Sequence, residues 1–213
     1  MISDLELALS SALKKEDDQQ LLELLSSAYK QKLSTTHCIA YALTEMMPPF
    51  EDYDVATKVL KDLFGTEAEK IAAILCGYIY VNLQPFDESF VEVLKKYSAC
   101  PISNYILALY LDYERNIEEA RKYIDISLAL SHFPKNVLFK LLLYSSDLND
   151  EQREQLKEEI SGLVINKRYE QSLAPEGVVD LVDAYMKELV LGSYMTSINW
   201  ENIKKNIASR TAG

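Results

Sequence analysis

Glycine and proline are scarce in this chain, six of each in 213 residues. Sandwiches and barrels need frequent turns and draw on both residue types, so an all-β architecture is disfavoured from the start. Cysteine is scarce as well. Cys38, Cys76 and Cys100 are odd in number, widely spaced and form no CxxC pair. That argues against a disulfide framework and for a reducing compartment, so a cytoplasmic location is expected.

Long apolar runs are missing. The longest uncharged stretch, Ile71 to Phe86, falls short of the ~20 residues that span a bilayer and contains Asn82, Gln84 and Pro85. A buried helix is expected there. Met1-Ile2-Ser3-Asp4 has no basic start and no apolar core segment, so no signal peptide is expected. Basic charge is also in deficit. With 22 Lys and Arg against 33 Asp and Glu, the net charge is -11. Such a field repels nucleic acid and anionic membrane, and any electrostatic selection favours a basic partner. Acidity also serves simple solubility.

What remains is helix. Hydrophobic residues make up 48% of the chain, an ordinary share for a packed core, and nearly every segment repeats with helical period. Ser3-Asp4-Leu5-Glu6 and Thr66-Glu67-Ala68-Glu69 have the form of capping boxes. Pro48-Pro49 and Gly65 read as stops, and Pro101, Pro134 and Pro175 as first helical residues. The punctuation predicts a first helix from Ser3, with Leu5, Leu9 and Leu13 on one face, and eight more near 17–30, 34–47, 51–64, 67–83, 86–97, 101–114, 117–130 and 134–145. A tenth begins after Asn149-Asp150, an eleventh runs from Pro175 to Gly192, and a short amphipathic segment covers about 197–208. Residues 166–174 are the best linker, which divides the chain into repeats over 1–165 and a C-terminal linker with capping helices over 166–213.

The odd-numbered helices recur about every 34 residues, the period of tetratricopeptide arrays. In three units a small residue follows another twelve positions on: Thr44 and Ala56, Gly77 and Ser89, Ala108 and Ala120. Small residues are needed where two helix backbones approach closely. Cys76-Gly77, Tyr80, Ser89, Val93 and Pro101 form the best unit. This stretch resembles the tetratricopeptide-repeat family, with Cys for Leu, Ser for Ala and Val for Phe, and no unit carries the family's Trp. The motif covers about 40–134. The expected fold is all-α, antiparallel helical hairpins stacked as a right-handed solenoid. Other α-α solenoids and a globular helical bundle share the same period and stay open.

The resemblance implies a non-enzymatic adaptor whose first helices line a concave groove for a protein or peptide. Its groove positions fall on Cys38, Tyr41 and Glu45; on Ile71, Ile74, Tyr78, Val81 and Asn82; and on Ile102, Tyr105, Leu109, Asp112 and Tyr113. The groove so defined is aromatic and weakly acidic. It carries no basic residue of the kind that clamps a C-terminal carboxylate, so an apolar or basic segment is the expected ligand. Core packing is the competing reading for each tyrosine. A small acidic chain of this kind also suits an immunity protein or secretion chaperone that sequesters a basic partner.

Trp200, Ile203 and Ile207 share one helical face beside Lys204, Lys205 and Arg210. This segment reads as a terminal cap or as a docking segment for an acidic groove, its own or that of a second copy. Catalytic, cofactor and metal sites are not expected. His37 and His132 are the only histidines, and neither HExxH, Walker A, GxGxxG nor GxSxG occurs. Glu118-Glu119, Glu158-Glu159 and Asp180/Asp183 read as solvated surface. An enzyme without a recognisable motif is the alternative of another class.

Overall fold

The computed structural model describes residues 5, 7–9, 11, 12, 15 and 17–166, with side chains described to residue 162. Among them the backbone is helical, with no strand. After helical backbone around Leu9 and Ala12, the elements are α1 (Asp18–Lys30), α2 (Thr35–Glu45), α3 (Tyr53–Lys61), α4 (Glu69–Asn82), α5 (Ser89–Lys96), α6 (Pro101–Tyr113), α7 (Ile117–Leu130), α8 (Pro134–Leu143) and α9 (Asp150–Asn166). The first expected capping box, the eleventh helix and the Trp200 segment lie outside the described residues.

Side-chain caps start α1, α2 and α3 by accepting orphan amide protons. Asp17 accepts from the Gln20 amide at 3.0 Å, Asp52 from Val55 at 3.0 Å and Ser34 from His37 at 3.2 Å. Asn149 and Gln152 form a reciprocal box at the head of α9, with bonds of 2.9 and 3.0 Å. The expected box at Thr66 is not formed as written. The helix begins at Glu69, and the Glu69 carboxylate accepts from the Gly65 amide at 2.9 Å instead. Gly65 has φ 84, the left-handed geometry that a glycine stop supplies. Lys32, Glu51 and Arg115 occupy the same region in the other tight turns, with φ of 52, 49 and 64.

The substantial contacts join each helix to its neighbour in the chain, with one further pair, α4 against α6. The small residues lie where that packing is closest. Thr44, Ala56, Ala108 and Ala120 are fully buried. Gly77 is the tightest point: a Cβ there would stand 2.4 Å from Ile106 Cγ2 and 3.1 Å from Phe90 Cε2. Its expected partner Ser89 is exposed, because Phe90 rather than Ser89 turns inward against Gly77.

A buried polar network fixes the α6–α8 region. Asn136 donates to Ser127 Oγ at 3.0 Å and to the Ser131 carbonyl at 2.8 Å, while Ser127 donates to the Pro101 carbonyl at 2.8 Å. Asn104 donates to the carbonyls of Ser98 and Cys100, both at 2.8 Å. Buried polar groups satisfied in this way tie one register of helix against helix.

Candidate functional site

The α4–α5 connection, residues 83–88, carries aromatic and acidic residues and borders a hollow on each side. Toward α3 it borders a hollow of ≈ 290 Å³ lined by Asp54, Thr57, Lys58, Lys61, Asp62, Gln84 and Phe86. Toward α7 it borders a larger cleft of ≈ 670 Å³. The cleft's floor is apolar, formed by Val91 of α5 with Leu107 and Leu111 of α6. Its walls carry Asp87, Glu88, Glu92 and Glu119, with Lys95 as the single cation and Tyr110 and Tyr123 as aromatic edges.

The acidic side chains are held in place. Asp87 pairs with Lys61 and accepts from the Ser89 amide at 3.1 Å. The lysine first, then these Ser89 contacts, hold its carboxyl down at about 2. Glu92 is paired with Lys95 at 2.7 Å, and Glu119 with Lys122. Glu88 accepts from Tyr110 Oη at 2.6 Å and from Tyr80 Oη at 3.4 Å. The single Tyr80 proton is shared with Glu114, which stands closer at 3.0 Å.

Aromatic packing backs this arrangement. The Tyr80 ring meets Phe86, Phe90, Tyr110 and Tyr113 with centroids 5.4–5.8 Å apart, mostly edge-to-face, the geometry that ring quadrupoles favour. Burial, together with the neighbouring carboxylates, pushes the Tyr80 and Tyr110 phenols well above their ordinary range. Both hydroxyls therefore remain donors at neutral pH.

The residues expected to line a concave groove are placed differently. Tyr105 is 1% exposed and packs edge-on against Phe133 and Phe139, at 5.4 and 6.1 Å. Its ring is enclosed there, with Phe133 and Phe139 against it. Tyr78, Leu109, Tyr41 and Glu45 are also buried, with Tyr41 5.4 Å from Tyr29. Asn82 is half-buried and turns back on its own helix, donating to the Tyr78 carbonyl at 3.0 Å. Asp112 is half-buried, and Tyr113, 46% exposed, is the one expected aromatic that presents a large surface. The structure brings Tyr113 to Tyr80 and joins none of the other expected residues into an open site.

Sequence reasoning missed Glu88, Tyr110, Glu114 and the site role of Tyr80. One signal was present: Glu114 follows Tyr80 by 34 residues, the spacing of the expected repeat. The nucleophile and metal readings gain no support from the geometry. His37 Nδ1 lies 2.6 Å from Ser34 Oγ, and burial pushes the Cys38 and Cys76 thiols up. Among the described residues no group of three or more His, Cys, Asp or Glu is placed to hold a metal ion, and no helix is long and apolar enough to cross a membrane. No protein-family model, no curated protein and no solved structure matches this chain.

Proposed function

We propose that this protein is a non-enzymatic interaction module that binds a basic, amphipathic segment of another protein in the cleft between α5 and α7. The observation that carries the reading is an apolar floor beside four wall carboxylates, of which Asp87, Glu92 and Glu119 have lysine partners and Glu88 has tyrosine donors, so that the wall keeps an excess of one negative charge. Apolar contact supplies binding free energy, and the acidic wall selects partner charge and speeds encounter. Tyrosines at the edge add rigid contact area at low entropic cost. The repeat reading belongs with this proposal: sequential helix contacts and bonds spanning one period support a tetratricopeptide-like stack. An adaptor, an immunity protein or a secretion chaperone would all use such a cleft.

The test uses the full-length protein and a pair of labelled amphipathic helical peptides with identical apolar positions. One carries Lys and Arg on its polar face, the other Glu and Asp, and fluorescence anisotropy is recorded at two salt concentrations. The cationic peptide is expected to bind and to weaken with salt. The double variant E92Q/E119Q should bind it several-fold more weakly, since exposed charge pairs contribute about 0.2–1 kcal/mol each. K95A should bind it more tightly. Equal binding of the two peptides, or indifference to all three substitutions, would overturn the proposal.

A further inference from the structure

The hollow and the cleft share one wall, the α4–α5 connection, and an ion pair runs across it. Lys61, the last residue of α3, lines the hollow; Asp87 lines the cleft; the two are paired. A second bond follows the same course, from Gln84 Nε2 to Asp54 Oδ1 at 2.9 Å. On its other side the connection is held by Glu88, which accepts from Tyr110 of α6. The segment is strapped between α3 and α6, and the counter-ion of Asp87 reaches it from the hollow.

The three lysines that neutralise the cleft's carboxylates are not equivalent. Lys95 pairs with Glu92 and Lys122 with Glu119, each three residues away on its own helix. Pairs of this kind are local and weak, and their long side chains separate readily. Lys61 instead pairs across 26 residues of chain, between two elements. It is also the least exposed of the three, at 35% against 48% and 66%.

The two members of this pair differ in freedom. Asp87 is fixed from a second direction by the Ser89 amide at 3.1 Å, so its carboxylate keeps its place on the cleft wall when Lys61 leaves. Lys61 has somewhere else to go, because Asp54 and Asp62 carry negative charge in the hollow that it lines. A cation entering the cleft therefore meets a carboxylate that is in position but already paired.

We propose that Lys61 is an internal competitor for the partner's cation: a basic side chain bound in the cleft takes Asp87 from Lys61, whose ammonium turns to Asp54 and Asp62 in the hollow. The inference rests on the reading of the cleft as a site for a basic segment, and it names the residue that sets how strongly that segment is held. No charge is left unpaired by the exchange. Without Lys61, the wall's excess of one negative charge becomes two.

A mutant cycle on the full-length protein tests it. The labelled cationic peptide is titrated at low salt against the parent, K61M, D87N and K61M/D87N. K58M, which removes the same charge from the hollow three residues earlier on α3, measures the general effect of charge. K61M is expected to bind about two- to fivefold more tightly than K58M. That advantage should need Asp87: K61M/D87N should exceed D87N by no more than K58M exceeds the parent. K61M no tighter than K58M, or an equal gain with and without Asp87, would overturn the inference and leave the reading of the cleft intact. A parent that binds the cationic and anionic peptides equally would overturn the reading, and the inference with it. Helical circular dichroism checks that each variant is folded, and K61Q repeats the comparison if K61M loses helix.

Discussion

Tyr80 and Glu114 stand 34 residues apart in the chain and 3.0 Å apart in space. The bond ties the last turn of α4 to the residue that caps the C-terminus of α6. The same chemistry recurs along the molecule. Tyr29 donates to Asp62 at 2.6 Å, Tyr97 to Glu69 at 2.7 Å, Tyr110 to Glu88 at 2.6 Å and Tyr144 to Asp125 at 2.7 Å. The phenol hydroxyl serves beside lysine as a carboxylate partner: Glu69 also pairs with Lys96 at 3.7 Å and Asp125 with Lys140 at 3.0 Å. Such bonds are charge-assisted, and they need no second ion to be desolvated.

The Tyr80 bond therefore carries measurable coupling. Y80F keeps the ring contacts with Phe86, Phe90 and Tyr110 and removes only the donor. It is expected to cost about 1–2 kcal/mol. E114A alone should cost less, because Glu114 is exposed. A double-mutant cycle read from urea midpoints should give a coupling of about 1 kcal/mol. Additive losses would mean that the two groups do not act as a pair.

Glycine-to-alanine changes should have opposite signs at two helical positions. At Gly77 the added methyl would meet Ile106 Cγ2 at 2.4 Å and Phe90 at 3.1 Å. Overpacking of a helix crossing costs about 1–3 kcal/mol, more than the 0.5–1 kcal/mol that alanine returns in helix propensity. G77A should unfold at lower temperature. At Gly162 nothing lies within 4 Å of the added methyl, so G162A keeps the propensity gain and should unfold at higher temperature. Calorimetry on the two proteins side by side checks both signs.

Much of the helix order was legible because it is written in local chemistry. Pro101 and Pro134 open α6 and α8, Asp17 and Ser34 cap α1 and α2, and α7 runs Ile117–Leu130 as its period predicts. Thr66 misled because two acceptors compete for the same turn: Glu69 takes the Gly65 amide, and Thr66 Oγ1 donates to the Leu63 carbonyl at 2.7 Å. The site was less legible. Spacing places Tyr105 at a groove position, but it carries no information on Phe133, which lies 28 residues on and closes over that ring. The cleft escaped for the same reason. Its floor comes from α5 and α6 and its walls also from α7 and the loop before α5, so no single stretch of sequence displays it.

Tyr105 gives a direct check on that correction. Its hydroxyl is buried without a hydrogen-bond partner, and leaving such a group unpaired costs about 1–3 kcal/mol. Y105F removes the hydroxyl and keeps the ring against Phe133 and Phe139, so it should be neutral or more stable than the parent. Y105A leaves a cavity and should lose about 3–5 kcal/mol. Urea denaturation of the two variants measures both. A destabilised Y105F would reveal a bond to this hydroxyl and return Tyr105 to the set of candidate recognition residues.

The tyrosine–carboxylate pairs also set the pH range of the fold. Hydrogen bonding to Asp62, then burial, pushes the Tyr29 phenol up to about 12. Burial, then the bond to Asp125, does the same for Tyr144. A phenol whose proton is held more tightly in the folded state stabilises that state fully below the unfolded value near 10. That contribution disappears as pH rises from about 10 through about 12. On the acid side the sign reverses. Lys61 holds Asp87 at about 2, and the Tyr97 hydroxyl followed by the Gly65 amide holds Glu69 below its ordinary range. Those contributions are present above about 4 and fade as pH falls. Urea midpoints should therefore be level across neutral pH, decline below about 4, and decline again above about 10. Absorbance near 295 nm, which follows phenolate formation, should rise as the paired tyrosines release their protons, together with loss of helical circular dichroism. The variant Y29F should flatten the alkaline decline, because it removes one of the protons whose release drives unfolding there.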